Sequence, residues 1–294
     1  MEKDYIVFKN LNLREYNTLR IEAIAENFCI PYSINGMEQI LNDLAEDRKV
    51  VIIGSGSNIL LSKSFYDDKY LFISTQMLNK KELQKDTIYA ECGVEMGKLA
   101  WFALENSIAG FGFMEDIPGT VGGAIIMNAG TYEGIIGDLC KSVVWYDFNE
   151  RKITTLEVND TMFSMRNSIF GHNNGIVLAC NLEAKKGIYE DILEAMLITK
   201  KKRYLKQPRN YPNAGSVFKT PKMDGKKFYV WQLFDELKLR GYSIGGAMIS
   251  EKHPGFIVNK GGSTSKDILE LLDFCKKIVY ENYGIELELE WKLI

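Results

Sequence analysis

The chain is poor in the residues on which several kinds of site depend. It has 2 histidines and 5 cysteines among 294 residues, and no two cysteines form a C-x-x-C pair. A metal site is therefore not expected, and a histidine-based nucleophilic triad has few candidates. The odd number and wide spacing of the cysteines instead indicate buried thiols in a reducing compartment, which predicts a cytoplasmic protein.

The chain also lacks an excess of positive charge and a long apolar run. It has 36 Lys and Arg against 39 Asp and Glu, and the lysines are dispersed. Nucleic acid is not expected as a partner, because binding a phosphate backbone requires a concentrated basic face. No signal region and no apolar run of about 18 residues occurs, so membrane insertion is not expected either. A length of 294 residues with 46% hydrophobic residues favours two or three folded domains.

What the chain does have is a long segment of glycine and small residues at positions 118–130. Glycine costs about 0.5–1 kcal/mol relative to alanine inside a regular element. Such a segment is favoured where the backbone approaches a bulky ligand and its N–H groups point at anionic oxygen. The candidate binding residues in it are Pro118, Gly119, Thr120, Gly122, Gly123, Ala124, Asn128, Ala129 and Gly130.

A second glycine loop lies upstream, directly after the apolar residues 50–53. Its members are Gly54, Ser55, Gly56, Ser57 and Asn58. The loop lacks the third glycine and the following helix of a Rossmann fingerprint, and the chain contains no P-loop motif. A tight turn between strands is the alternative for this loop taken alone. The two loops together predict a dinucleotide held between them.

The hydrophobic pattern predicts an α+β fold with mixed sheets. Helices are expected at 35–48, 94–106, 188–205, 229–239 and 265–283, the last capped by Ser263 or Ser265. Strands are expected at 50–53, 70–74, 87–91, 142–148, 152–156 and 176–182, with a final strand at 286–293. In that final strand three glutamates alternate with apolar residues and share one face. The break at 207–212 predicts the main domain boundary.

Several segments, in order along the chain, resemble the UDP-N-acetylenolpyruvoylglucosamine reductases, which are flavoenzymes of peptidoglycan precursor synthesis. The resemblance spans nearly the whole chain, and the joint order of its segments is more specific than any one of them. Besides the two glycine loops, they are Asn17-Thr18-Leu19-Arg20, Arg166-Asn167-Ser168-Ile169-Phe170, Lys206-Gln207-Pro208, Ala214-Gly215-Ser216-Val217-Phe218-Lys219, Ile244-Gly245-Gly246-Ala247, Lys252-His253, Gly255-Phe256-Ile257-Val258-Asn259 and Leu287-Glu288-Leu289-Glu290.

The resemblance implies an FAD-binding fold of the vanillyl-alcohol-oxidase type with a C-terminal α+β substrate-binding domain. It implies an FAD-binding region at 1–205, made of subdomains at about 1–75 and 76–205, and a substrate domain at 206–294. FAD would contact Arg20 and both glycine loops, and Lys206 and Lys219 would bind the substrate. NADPH would reduce the flavin, and reduced flavin would deliver hydride to UDP-N-acetylglucosamine enolpyruvate, giving UDP-N-acetylmuramate. A monomer is the expected state.

Three residues match the family's catalytic positions, and their types suit the reaction. Hydride addition to an enolpyruvyl ether places negative charge at the α-carbon and its carboxylate. Arg166 supplies a permanent, planar charge, and a protonated Glu290 would donate a hydrogen bond to the same carboxylate. Ser216 matches the proton donor to the α-carbon. Glu286 and Glu288 are alternatives to Glu290 on the same face of the predicted strand.

Four positions depart from the family's usual pattern. Met165 stands where tyrosine usually precedes the catalytic arginine, and Thr220 stands where asparagine is common. Asp116 replaces a usual glycine, and Lys63 a frequent aspartate. These departures leave two alternatives open: a related FAD-dependent oxidoreductase with a different substrate, and a catalytically silent module that binds nucleotide sugars.

Overall fold

The computed structural model describes residues 3–44, 47–172, 174–223 and 225–294. The chain forms two compact units. Unit 1 comprises Met1–Lys9, Asn27–Ser55 and Asp68–Arg203. Unit 2 comprises Asn10–Glu26, Gly56–Asp67 and Tyr204–Ile294.

Unit 1 is built on two sheets. The helices and strands that lie in it, wholly or for most of their length, are β1 (Tyr5–Asn12), β2 (Ile24–Pro31), α1 (Ile34–Asn42), β3 (Lys49–Ile53), β6 (Tyr70–Ser74), β7 (Lys81–Leu83), β8 (Thr87–Glu91), α2 (Met96–Glu105), β9 (Ile108–Ala109), α3 (Val121–Met127), β10 (Gly130–Thr131), β11 (Gly134–Ile135), α4 (Ile136–Leu139), β12 (Cys140–Asp147), β13 (Lys152–Glu157), β14 (Phe163–Ser164), β15 (Asn167–Ser168), β16 (Gly175–Glu183), β17 (Lys185–Lys186) and α5 (Tyr189–Lys206).

The first sheet of unit 1 has the order β1-β2-β6-β3, and the second has the order β13-β12-β16-β8-β7. Strand β6 pairs in parallel with β2 and β3, and four of its five residues are buried, as expected for a strand covered on both faces. The second sheet is antiparallel throughout. One apolar core joins both sheets to α1, α2 and α3.

Unit 2 has a core of its own around an antiparallel sheet of order β18-β23-β22-β21. Its elements are β4 (Ile59–Leu60), β5 (Phe65–Tyr66), β18 (Asn213–Ser216), β19 (Lys222–Met223), β20 (Lys226–Lys227), α6 (Val230–Glu236), β21 (Ser243–Ile244), β22 (Ala247–Ile249), β23 (Phe256–Asn259), α7 (Ser265–Tyr283) and β24 (Lys292–Leu293).

Helix α7 shows how the sequence determines a local element. Its buried residues recur at helical spacing, and include Ile268, Leu271, Leu272, Cys275 and Val279. The helix ends at Gly284, whose φ of 67° lies in the left-handed region that glycine adopts without strain. The predicted bounds 265–283 are confirmed, but the predicted caps are wrong. Thr264 caps the helix and forms a reciprocal capping box with Asp267.

Most predicted strands and the helices at 94–106 and 188–205 are confirmed to within two residues. Two helices are shorter than predicted, since α1 ends at Asn42 and α6 ends at Glu236. Residues 45 and 46 of the first predicted helix lie outside the described residues.

The predicted final strand is largely wrong, because only Lys292–Leu293 pairs as a strand and Leu289 makes an isolated bridge to Phe218. The alternation of burial is nevertheless present, with Leu287 and Trp291 buried and Glu286 and Glu288 exposed.

The predicted boundary between residues 205 and 206 lies close to the point where unit 1 ends, at Arg203. Unit 2 also contains two segments from the N-terminal part of the chain, so the units are not continuous in sequence. The assignment of an FAD-binding region to 1–205 and a substrate domain to 206–294 stays a prediction. No helix among the described residues is both long enough and apolar enough to cross a membrane.

Candidate functional site

The start of the first glycine loop meets the second loop within unit 1. Gly54 follows β3, and a Cβ atom added to it would lie 2.3 Å from Oγ1 of Thr120. This contact is possible only because residue 54 has no side chain. Residue 54 of the first loop therefore packs directly on the side chain of Thr120 in the second loop, so the two loops lie against each other at this point.

The second loop is fixed by backbone hydrogen bonds on both sides of Thr120. Met96 N donates to Gly119 O at 3.0 Å, and Val121 N donates to Val94 O at 2.8 Å. Gly122 packs directly on Cys92, since a Cβ at position 122 would lie 2.8 Å from the Cβ of that cysteine. Burial raises the pKa of the Cys92 thiol to about 12. The second loop therefore packs on a thiol that is uncharged at neutral pH.

The glycines of this loop serve two different purposes. Gly122 and Gly130 are required by close packing within unit 1. Gly123 is exposed, and a Cβ added there would make an ordinary contact with Oγ1 of Thr120 at 3.9 Å, so close packing does not require a glycine at this position. Loop 118–130 thus combines a fixed backbone with an open glycine face, and these features fit the predicted approach of a flat or anionic group such as FAD.

Asn128 connects the second loop to the segment that carries Arg166. Its φ of 43° is left-handed, and it ends helix α3. Its amide nitrogen donates to Ser164 O at 2.9 Å, and its amide oxygen accepts from Gly137 N at 3.0 Å. The side chain of Asn128 is therefore engaged inside unit 1, and its predicted contact with FAD stays a prediction.

Arg166 lies at the tip of a tight hairpin formed by β14 and β15. Phe163 pairs with Ser168 and Ser164 with Asn167, so Met165 and Arg166 are the two turn residues. Arg166 has a φ of 56°, and both turn residues are exposed. Oγ of Ser168 donates to Ile126 O at 3.0 Å, which is the second bond tying this hairpin to α3. The hairpin thus holds Arg166 at an exposed turn whose base is fixed to α3.

Unit 2 brings together Ser216, Glu290 and Asn58. Ser216 ends β18 and pairs with Phe256, and the next residue, Val217, accepts a hydrogen bond from Glu290 N at 2.8 Å. Nδ2 of Asn58 donates to Glu290 O at 3.1 Å. The first glycine loop, the serine strand and the C-terminal segment are therefore joined in unit 2 by one side-chain and one backbone hydrogen bond.

The rival glutamates differ from Glu290 in their surroundings. Glu286 and Glu288 are exposed, whereas Glu290 is half-buried. The carboxylate of Glu288 pairs with Nζ of Lys219. Burial therefore distinguishes Glu290 from the other two glutamates, and Lys219 has a protein partner on its own unit.

Three further predicted binding residues have distinct settings in unit 2. Gly56 has a φ of 62° and accepts a hydrogen bond from Thr18 N at 3.1 Å, and a Cβ there would lie 2.1 Å from Tyr16 O. Arg20 pairs with Glu15 and lines a cavity of about 780 Å³ that also contacts Lys260 and Lys266. Lys206 is exposed at the end of α5. Contact of these three residues with FAD or substrate stays a prediction.

His253 is a residue of this unit to which the sequence assigned no chemical role. Burial lowers its pKa, and the nearby Arg240 and Lys206 act in the same direction. Its Nδ1 accepts from Gly255 N at 3.2 Å, and its ring packs edge-on against Phe256 at 4.9 Å. Its position in the Lys252-His253 segment was the only signal in the sequence that could have identified it.

Two family models match the chain. Residues 25–156 match an FAD binding domain. Residues 207–294 match the C-terminal domain of UDP-N-acetylenolpyruvoylglucosamine reductase. The predicted combination of an FAD-binding fold with a C-terminal α+β domain is confirmed by these matches.

Full-length relatives carry the same description. UDP-N-acetylenolpyruvoylglucosamine reductase of Fervidobacterium nodosum is 40% identical over 291 residues, covering 97% of this chain and 92% of the relative. The enzyme of that name from Thermotoga maritima is 38% identical over 275 residues, covering 94% of both chains. The crystal structure of the Thermus caldophilus reductase superposes with a TM-score of 0.82 at 28% identity, covering 98% of this chain and 99% of that one.

Proposed function

The chain belongs to the UDP-N-acetylenolpyruvoylglucosamine reductase family, and we propose that it reduces UDP-N-acetylglucosamine enolpyruvate to UDP-N-acetylmuramate with NADPH as reductant. The observation that carries the proposal is the set of contacts joining Asn58, the Ser216 strand and Glu290 in unit 2. These residues come from three separate segments, and each matches a position in the family's motifs. FAD is the cofactor that the matched FAD binding domain requires.

FAD held by the two glycine loops would, once reduced, be the source of the hydride for the β-carbon of the enolpyruvyl double bond. The electron pair of that bond then becomes negative charge at the α-carbon and its carboxylate. Arg166 stabilises this carboxylate by a charge-assisted hydrogen bond, and Glu290, in its protonated form, donates a second one. Both groups act where charge develops and not on the neutral double bond, which is the condition for lowering the barrier.

Ser216 completes the addition by donating its hydroxyl proton to the α-carbon. A serine hydroxyl is a weak acid, but the α-carbanion is a strong base, so a positioned hydroxyl suffices. The serine regains its proton from solvent, which keeps the reaction balanced at one hydride and one proton per substrate. Ser216 is exposed at the end of β18, as such proton exchange requires. Lys206 and Lys219 bind the anionic groups of the nucleotide.

The test separates the two half-reactions in a stopped-flow experiment. In Ser216→Ala, flavin bleaching by NADPH should keep its wild-type rate, and reoxidation by the enolpyruvyl nucleotide should slow by at least about 100-fold. Thr155→Ala, which removes an exposed hydroxyl on β13, is the control and should leave both rates unchanged. Equal loss of both half-reactions in Ser216→Ala would refute the role of the serine as proton donor.

Met165 favours one alternative substrate assignment. It is 79% exposed beside Arg166, at a position where the family usually carries a tyrosine hydroxyl. A related FAD-dependent oxidoreductase with a different substrate would keep Arg166 and change its neighbour. Titration with UDP-N-acetylglucosamine enolpyruvate decides between the two. Absence of binding by an FAD-loaded protein that NADPH reduces would favour this alternative.

A further inference from the structure

Two acidic residues lie directly before the second glycine loop. They are Glu115 and Asp116, and they lead through Ile117 into residues 118–120. Asp116 has a φ of 69°, in the left-handed region where glycine is least strained and where aspartate is tolerated better than most residues. The chain therefore has a carboxylate side chain at a position whose backbone conformation favours glycine.

The Asp116 carboxylate pairs with Arg203 on helix α5. Nε of Arg203 lies 3.5 Å from Oδ2 of Asp116, and its terminal nitrogen donates to the Asp116 backbone oxygen at 3.2 Å. The two side chains are only 19% and 14% exposed. A pair this buried is weakly screened by solvent, and removing either partner leaves the other charge buried.

Glu115 makes a second link to the same helix. Its Oε1 lies 2.7 Å from Nζ of Lys200, and its side chain is 5% exposed. Lys200 and Arg203 are three residues apart, so they share a face of α5. Met196 continues that face one turn earlier, and a Cβ on Gly112 would lie 3.2 Å from its Cγ. One face of α5 thus packs against residues 112–116 through one apolar contact and two ion pairs.

We propose that Lys200 and Arg203 are positioning residues for FAD binding, acting through Glu115 and Asp116 on the entrance to the second glycine loop. The loop is already fixed on its other side, where Gly119 O accepts from Met96 N. The two ion pairs fix the opposite end, at Glu115 and Asp116, which are four and three residues before Gly119. This arrangement determines the direction in which residues 117–120 leave the turn, and hence where their backbone meets the cofactor.

The test measures FAD binding to deflavinated protein by fluorescence quenching, with no substrate present. Asp116→Asn, Asp116→Gly and Arg203→Gln should each raise the FAD Kd about tenfold or more, which corresponds to about 1.4 kcal/mol. Asn and Gly both keep the left-handed backbone accessible, so the loss would be due to the carboxylate and not to strain. The double variant Asp116→Asn with Arg203→Gln should be no weaker than the weaker single variant.

Lys98→Gln is the matched control. It removes an exposed ion pair with Glu95, whose backbone bridges to Thr120 on the other side of the loop. Its FAD Kd should stay within twofold of the wild type. The difference in melting temperature between FAD-loaded and FAD-free protein should shrink in the three test variants and not in the control, which separates positioning from a general loss of stability.

The proposal is overturned if Asp116→Gly binds FAD as tightly as the wild type, or if the effects at positions 116 and 203 are additive. Because no substrate is used, this result stands whether or not the proposed reduction of the enolpyruvyl nucleotide is correct.

Discussion

Replacing Asn128 by alanine should loosen the hairpin that carries Arg166. The change removes two hydrogen bonds, to Ser164 O and from Gly137 N. Each is worth about 1 kcal/mol of net stability. Alanine at a φ of 43° adds about 1 kcal/mol of left-handed strain that asparagine tolerates better. The free energy of unfolding should therefore fall by about 3 kcal/mol.

The assay is thermal unfolding, followed by steady-state kinetics. For a unit of this size a loss of 1 kcal/mol lowers the melting temperature by about 2–4 °C, so Asn128→Ala should lower it by about 6–12 °C. Ser168→Ala removes the other bond between this hairpin and α3, at a cost of about 1 kcal/mol. Both variants should lower kcat, because the base that orients Arg166 becomes mobile.

Asn79→Ala provides the control, since its amide makes one exposed bond to Gln76 O. Its melting temperature should stay within about 2 °C of the wild type. The reasoning is refuted if Ser168→Ala destabilises as much as Asn128→Ala. It is also refuted if Asn128→Ala changes neither the melting temperature nor kcat.

Three further predictions follow from single contacts. Gly54→Ala should raise the FAD Kd about tenfold, because the new Cβ would lie 2.3 Å from Oγ1 of Thr120. Adding Thr120→Ala to the same chain should restore part of the affinity. An unchanged Kd in Gly54→Ala would contradict the close approach of the two loops. Burial lowers the pKa of His253, so its contribution to stability is present above the unfolded pKa of about 6.5 and is lost as pH falls through the folded pKa. Melting temperature measured from pH 7 to pH 5 should fall less in His253→Asn than in the wild type, and parallel curves would refute this assignment. All five cysteines are buried, and burial raises the pKa of Cys92 and Cys275 to about 12. A thiol reagent at pH 8 should therefore label no cysteine before the protein unfolds. Labelling of the native protein would show that a thiol is accessible and contradict this prediction.

Local sequence patterns were sufficient to predict elements that form without a distant pairing partner. Helices α2 and α7 could be predicted because their buried residues recur at helical spacing, and the thiols because isolated cysteines in an apolar context are buried. The order of the motifs identified the family, since each segment retains the residue types that its chemistry requires. The cap of α7 was missed because Ser263, Thr264 and Ser265 are all good capping residues, and only the geometry selects Thr264.

The sequence by itself determined the glycine loops, the family and the residue types of the candidate site. Tertiary structure decided which residues support them. The alternation at 286–293 sets which side chains are buried, but it does not make a strand, because a strand needs a partner and here pairing is limited to Leu289 and Lys292–Leu293. Lys200 meets Glu115 across 85 residues of chain. No local periodicity encodes such a contact, since it exists only once a helix and a loop have packed against each other.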